Sequence, residues 1–244
     1  GSAIKLDDSI QQLIQRIDQA LQFEVFVSLS CHNCPDVVQA LDQFALLNEK
    51  ISVEMIDGGL YPELIEERSI QGVPTVYLNG EIFANGKVET AQMIEKLIER
   101  FPQIAKPDTD SAQSAENTAE TQDVTVIGGG PAGVAAAIYT ARKGLKVTLI
   151  ADRIGGQVKD TMGIENFISV PKTTGPELSS ELQAHLKDYA ITVREHLKVS
   201  HIEGGDTKQI TLSSGERIPT RTVIVASGAK WRELGVPGEK ENIG

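Results

Sequence analysis

Cysteine is scarce in this chain, which has only two, and aromatic residues are few: six Phe, four Tyr and one Trp among 244 residues. Two cysteines exclude a disulfide scaffold, and alone they cannot supply the four ligands of a structural zinc site. No apolar run approaches the roughly 18–20 residues of a membrane-spanning helix. The start carries Lys5, Asp7 and Asp8 and no apolar leader, so no signal peptide is expected and a reducing cytoplasm is the expected compartment. Basic residues are outnumbered, with 23 Lys and Arg against 34 Asp and Glu for a net charge of −11. That balance argues against nucleic acid or an anionic membrane as partner. An apolar share of 40% rules out a disordered chain, and the length suffices for one large domain or two ordinary ones.

The charge is unevenly spread. Residues 1–101 hold 7 basic against 16 acidic residues, a net of −9, whereas residues 123–244 hold 15 against 14, a net of +1. Between them lies PQIAKPDTDSAQSAENTAETQ, residues 102–122, rich in Ala, Ser, Thr, Gln and acids. Without apolar periodicity this stretch cannot offset the entropy of ordering, so it reads as a mobile linker. Two domains are therefore expected, 1–101 and 123–244. The acidity of the first is ordinary solvated surface or a means of steering a basic partner.

In the first domain, Asp7-Asp8-Ser9 offers helix caps ahead of Ile10, Leu13, Ile14, Ile17 and Leu21 on one face. The run 23–27 reads as a buried strand leading directly to Cys31-His32-Asn33-Cys34-Pro35 and a helix. A strand at 53–56, a short helix at 63–68, a hairpin turning at Asn79-Gly80 and a last helix over 88–100 complete the pattern. This order, βαβα then ββα, matches a thioredoxin-like fold. A thiolate at a helix start is stabilised by unpaired N–H groups and the macrodipole, so Cys31 is the expected nucleophile. The spacing keeps Cys34 in reach as the resolving thiol of a two-electron couple. His32 either supports the thiolate when protonated or is an exposed spectator. Val73-Pro74 falls where thioredoxin-like proteins place a cis-proline beside the dithiol, with backbone free to pair with an incoming peptide.

The second domain opens with a short strand, 123–127, that runs into Gly128-Gly129-Gly130-Pro131-Ala132-Gly133 and a helix of small residues. In such a fingerprint Gly128 makes the tight turn, Gly130 lets a pyrophosphate approach the backbone, and Gly133 lets helix pack on strand. The helix N-terminus provides the anion site. A second strand, 146–150, ends near Asp152, nineteen residues past Gly133, where a carboxylate can accept hydrogen bonds from a ribose diol. Strand, turn, helix, strand and acid agree on a dinucleotide site. Strands are also expected at 191–203 and 207–219, as a meander. Tyr139 and Trp231 are expected to pack, and His185, His196 and His201 to be ordinary residues with no metal among them.

Pro131-Ala132, the Ile154-Gly155-Gly156-Gln157 segment and Val223-Ile224-Val225-Ala226-Ser227-Gly228-Ala229 resemble flavoprotein disulfide reductases more than dehydrogenases. Together with residues 28–41, Gly-Ile-Glu-Asn-Phe-Ile-Ser-Val-Pro-Lys at 163–172 and Gly-Ala-Lys-Trp-Arg at 228–232, they make nearly the whole chain similar to the flavoprotein family of alkyl hydroperoxide reductase. That resemblance implies a thioredoxin-like domain tethered to part of a Rossmann-like FAD-binding domain. It implies electron flow from NADH through FAD and a dithiol to Cys31–Cys34, and on to a partner peroxiredoxin, the peroxidase component of alkyl hydroperoxide reductase. Gly128, Gly130, Pro131, Ala132, Gly133 and Asp152 would hold the FAD pyrophosphate and ribose. Gly155, Gly156, Gln157 and Asn166 would approach the isoalloxazine, and Ala226, Ser227 and Gly228 would close over the pyrophosphate. Ser227 stands where the family has Thr, a change that keeps the hydroxyl.

The family also carries a first, dithiol-lacking thioredoxin repeat, an NADH domain with its own glycine fingerprint, a second C-x-x-C and a returning FAD segment. No second fingerprint or second C-x-x-C occurs in this sequence, so the chain is expected to be one segment of something larger. The alternative reading is a dithiol carrier or docking fragment with an empty nucleotide fold. A homodimer is left open.

Overall fold

A computed structural model describes residues 4–105 and 120–229. The first half forms a four-stranded sheet in the order β2-β1-β3-β4. The central strand β1 (Leu21–Val27) runs parallel to β2 (Ile51–Asp57) and antiparallel to β3 (Thr75–Leu78), which forms a hairpin with β4 (Glu81–Asn85). Asn79 and Gly80 both take positive φ, 50° and 81°, the geometry that Asn-Gly hairpin turns favour. Helices α1 (Asp8–Gln15), α2 (Cys34–Leu47) and α4 (Thr90–Arg100) contribute Ile10, Leu13, Leu41, Phe44, Ile94 and Leu97 to one buried cluster with Phe23 and Val25 of β1. The short α3 (Pro62–Glu67) belongs to a separate cluster around Phe26, Ile56 and Tyr77. The strand order and helix placement are those of a thioredoxin-like domain.

Two expectations for this half need correction. Leu21 does not share the α1 face: the helix ends at Gln15, and Leu21 opens β1 opposite Ile51. Its β-branched and aromatic successors favour a strand, and pairing with β2 recruits it. The linker expected over 102–122 is shorter at both ends. Residues 102–105 form a 3-10 turn that buries Ile104, and strand pairing begins at Gln122.

The second half is a six-stranded sheet, β7-β6-β5-β10-β9-β8. Strands β5 (Gln122–Ile127), β6 (Val147–Ala151) and β7 (Ile191–Glu195) are parallel, with α5 (Pro131–Ala141) crossing between β5 and β6 and α6 (Gly175–Leu186) between β6 and β7. Thr174 and Glu177 cap α6 reciprocally, which fixes where the chain turns into the helix. The stretch 191–203 is not one meander strand. It divides at His196, φ 62°, into β7 of the parallel sheet and β8 (Val199–Glu203) of the meander. Conversely β10 (Arg217–Val225) joins two expected strands: its first residues pair antiparallel with β9 (Lys208–Leu212) and its later ones parallel with β5. The chain is thus a mixed α/β protein, with a thioredoxin-like domain and part of a Rossmann-like domain.

Candidate functional site

Two sites emerge, one at each half's sheet end. In the first, Cys31 and Cys34 form a disulfide. Helix α2 begins at Cys34, with Asn33 in the cap position making no side-chain capping bond. The vacant capping role falls to sulfur: the Cys34 backbone N–H donates to Cys31 Sγ at 3.1 Å. An N–H donor and the positive helix end both favour negative charge on that sulfur once the disulfide is reduced. Cys34 is buried, 4% exposed, while Cys31 is half-exposed. The Val73–Pro74 bond is cis, and the Val73 carbonyl oxygen lies 3.7 Å from Cys31 Sγ. His32 is exposed and shows no hydrogen bond among the described residues.

The sequence reading missed the apolar rim at this end. Leu29 is 96% exposed in the loop before Cys31, and Leu60, 73% exposed, follows the C-terminal end of β2, which pairs beside that of β1. A leucine isolated between two serines was the available signal.

The second site lies at the C-terminal ends of β5 and β10, where the chain leaves β5 for β6 on one side and β10 enters on the other. Such a divergence opens a crevice for ligands. Gly128 has φ 117°, and a Cβ there would overlap the Ala226 carbonyl oxygen. The Ala226 N–H continues the pairing by donating to Ile127 O at 2.8 Å, which seats Ala226, Ser227 and Gly228 over the turn. A Cβ on Gly133 would overlap the Gly128 carbonyl oxygen. These two glycines are required by the fold itself.

Gly130 is different. Its φ of −70° and ψ of 176° suit any residue, and a Cβ would meet nothing within 4 Å. Internal packing does not demand glycine there, but a ligand brought against the backbone would. Behind it, Pro131 opens α5 without an N–H, and the Ala132 and Gly133 N–H groups find no acceptor among the described residues. A backbone cradle with two free donors at a helix N-terminus fits a pyrophosphate.

The segment after β6 lines the same turn. Gly155 donates to Gly129 O at 2.8 Å, and a Cβ on Gly156 would come within 3.2 Å of Gly130 Cα. Gln157 donates its side-chain amide to the Ala229 carbonyl, linking this segment to the one after β10. Asp152 is the first residue after β6. Partial desolvation raises its carboxyl above the usual range; Lys198 opposes the shift, and Glu95 and Glu89 reinforce it. Asn166 is exposed, in a loop closed by bridges between Ile164 and Thr173 and between Phe167 and Val170, and no contact with the glycine turn is seen. Trp231 and its neighbours Lys230 and Arg232 lie outside the described residues. Tyr139, expected to pack, is 70% exposed. His185 packs on Tyr189. Among the described residues no group of three or more His, Cys, Asp or Glu is arranged for a metal ion, and no helix is long and apolar enough to cross a membrane.

A redox-active cysteine pair at a helix start and a dinucleotide turn in one chain define a disulfide oxidoreductase class. Residues 122–244 match the pyridine nucleotide-disulphide oxidoreductase family and residues 21–99 the thioredoxin domain family. The chain belongs to the pyridine nucleotide-disulphide oxidoreductase family. Over its full length it is 45% identical to an alkyl hydroperoxide reductase flavoprotein of Staphylococcus aureus, covering 46% of that protein. Over 99% of its length it is 44% identical to a Bacillus subtilis protein named NADH dehydrogenase, covering 45% of it. The solved thioredoxin reductase of Lactococcus lactis is 38% identical, with a TM-score of 0.47 over 50% of this chain and 40% of that one. The chain spans about half the length of the curated relatives it matches.

Proposed function

We propose that this chain is the dithiol-bearing segment of a flavoprotein that reduces a peroxiredoxin disulfide, with domains at 1–101 and 123–244. The observation that carries this reading is the Cys34 N–H bond to Cys31 Sγ at the start of α2, in a chain that also bears the dinucleotide turn.

In the reduced state the Cys31 thiolate, held by that N–H and the helix end, attacks one sulfur of the partner's disulfide. The partner's S–S bond breaks and a mixed disulfide forms, while the leaving sulfur departs as a thiolate and takes a proton from solvent. Cys34 then loses its proton and attacks Cys31 Sγ, expelling the second partner thiolate and forming the Cys31–Cys34 disulfide. Two electrons pass to the partner, and a second dithiol of the intact protein restores the pair by the same exchange in reverse. Cys34, buried against α2, is shielded from competing disulfides until the mixed disulfide places its target within reach. The exposed Leu29 and Leu60 offer an apolar rim suited to a protein partner rather than a small thiol.

FAD is the dinucleotide this reading assigns to the turn, where it would accept a hydride from NADH and pass two electrons to a dithiol. Gly130 and the Ala132 and Gly133 N–H groups would hold its pyrophosphate, and Asp152 its ribose diol. Gly155, Gly156 and Gln157 would lie towards the ring system, and Ala226, Ser227 and Gly228 would cover the phosphates. Asn166 stays assigned to the ring by family resemblance alone. The cytoplasm is the compartment that would keep such a dithiol in use.

The test is single-turnover thiol transfer. The chain, chemically reduced and freed of reductant, should convert a peroxiredoxin disulfide to thiols, and the Cys31→Ser variant should not. Equal behaviour of the two would sink the proposal. A visible spectrum after adding FAD and desalting tests the second half separately: retained flavin supports the assigned turn, and its loss favours a carrier with an empty fold.

A further inference from the structure

Four ionic contacts join the two halves of the chain. Asp7, the cap of α1, accepts from Arg194 Nε at 2.5 Å and Nη2 at 2.9 Å, and Arg194 also donates to Glu216 at 3.0 Å. The Arg194 and Asp7 side chains are only 14% and 10% exposed. Glu95 of α4 accepts from Lys198 at 2.6 Å. Glu89, the cap of α4, accepts from Arg153 at 2.8 Å, and Lys87 donates to Asp160 at 2.5 Å. Three of the four set an acid of the first half against a base of the second. This follows the charge division read from the sequence, where the first half carries −9 and the second +1. Apolar contact accompanies the charges: Leu6 and Ile10 belong to the same continuous buried cluster as Leu197, Ile210 and Leu212 of the second half.

The location of these contacts gives them meaning. Gly86, one residue before Lys87, donates its N–H to the Pro74 carbonyl at 2.8 Å, and the neighbouring Val73 carbonyl is the one beside Cys31. On the other side, Arg153 directly follows Asp152 and precedes the Gly155 that bonds to the glycine turn. The contact therefore runs from the dithiol edge of one domain to the rim of the dinucleotide turn of the other. Arg153 also donates to Asp160 at 3.1 Å, so the loop that meets Lys87 and Glu89 is braced before docking.

We propose that this surface is a docking seat for the thioredoxin-like domain, held by charge and released when that charge is reversed. Lys87, Glu89, Glu95 and Asp7 are its contacts on one side, and Arg153, Asp160, Arg194 and Lys198 on the other. A partner approaching the dithiol edge beside Gly86 and Pro74 meets the seat's residues, so delivery to an outside disulfide calls for release. The seat goes beyond the proposed reduction of a peroxiredoxin, and its test reads shape alone, so failure of either leaves the other standing.

Small-angle X-ray scattering on the full chain in 50 mM salt is the measurement. The seated chain should give a radius of gyration of about 18 Å, as for one compact body, and two released domains a value about a third larger. The double variant Glu89→Lys with Glu95→Lys places cations against Arg153 and Lys198, and should show the larger value with an unchanged far-UV circular dichroism spectrum. Adding Lys198→Glu should return most of the difference by restoring one opposite pair. A wild type already extended, a double variant as compact as the wild type, or a triple variant as extended as the double would each overturn the seat.

Discussion

At the scale of single residues, the three fingerprint glycines separate by what each is needed for. A Cβ at Gly133 overlaps the Gly128 carbonyl oxygen, whereas one at Gly130 points into open space. Gly133→Ala should therefore cost several kcal/mol by overpacking, in the upper part of the roughly 1–3 kcal/mol range or beyond, and lower the unfolding midpoint of the second half in urea. Gly130→Ala should change that midpoint by less than about 1 kcal/mol yet abolish retention of FAD, read by absorbance after desalting. If both variants lost stability equally, Gly130 would be a fold residue and the cradle argument would fail. The cysteines separate in the same way. Cys31 is half-exposed and accepts an N–H, and Cys34 is buried, so limited iodoacetamide on the reduced chain should label Cys31 first, as peptide mass mapping would report. These roles were legible in the sequence, because a C-x-x-C at a helix start and a spaced glycine turn impose local geometry. Asn166 was not, since a loop residue's neighbours depend on contacts that spacing does not encode.

At the scale of elements, strand ends and strand partners were the least readable features. Nothing in Ile191-Thr192-Val193-Arg194-Glu195 distinguishes a parallel strand from a meander strand; pairing with β6 decides it, and His196 at positive φ makes the break. Likewise Pro219 and Thr220 gave no sign that β10 bridges an antiparallel and a parallel partner. The short helix α3 depends on one side chain just past its end. Arg68 donates to Glu24 of β1 at 2.7 and 3.0 Å and lies 4.6 Å from the Tyr77 ring centroid. Both partners are partly buried, so Arg68→Ala loses a bidentate ion pair and a cation–π contact, for about 1–3 kcal/mol in chemical denaturation. Arg68→Lys should recover only part of it, because an ammonium cannot make the two parallel bonds.

At the scale of the whole molecule, the acidity of the first half gains a specific use against Arg153, Arg194 and Lys198, which composition alone could not assign. The acid side of stability follows from the same contacts. Burial of Asp7 works against its ionisation, but the hydrogen bond and charge of Arg194, with bonds from Ser9, outweigh it and lower the carboxyl below its ordinary 3.8. A lowered folded pKa gives stability that is fully present above the unfolded value and lost as pH falls through the folded one. Asp160 is lowered in the same way: partial burial opposes, and Arg153 and Lys87 prevail. The wild type should therefore exceed Asp7→Asn by about 2 kcal/mol at pH 7, with the gap closing as the pH is taken below about 3.8. Thermal melts of both chains across that range check the sign, since a gap that widened in acid would contradict it.

The central claim is that Cys31 makes the bond to the partner and Cys34 resolves it, and trapping tests this most directly. Reduced Cys34→Ser chain, mixed with an oxidised peroxiredoxin and analysed by intact mass spectrometry without reductant, should accumulate a covalent one-to-one adduct through Cys31. The Cys31→Ser chain should accumulate none. An adduct formed equally by both variants, or by neither, would contradict the account.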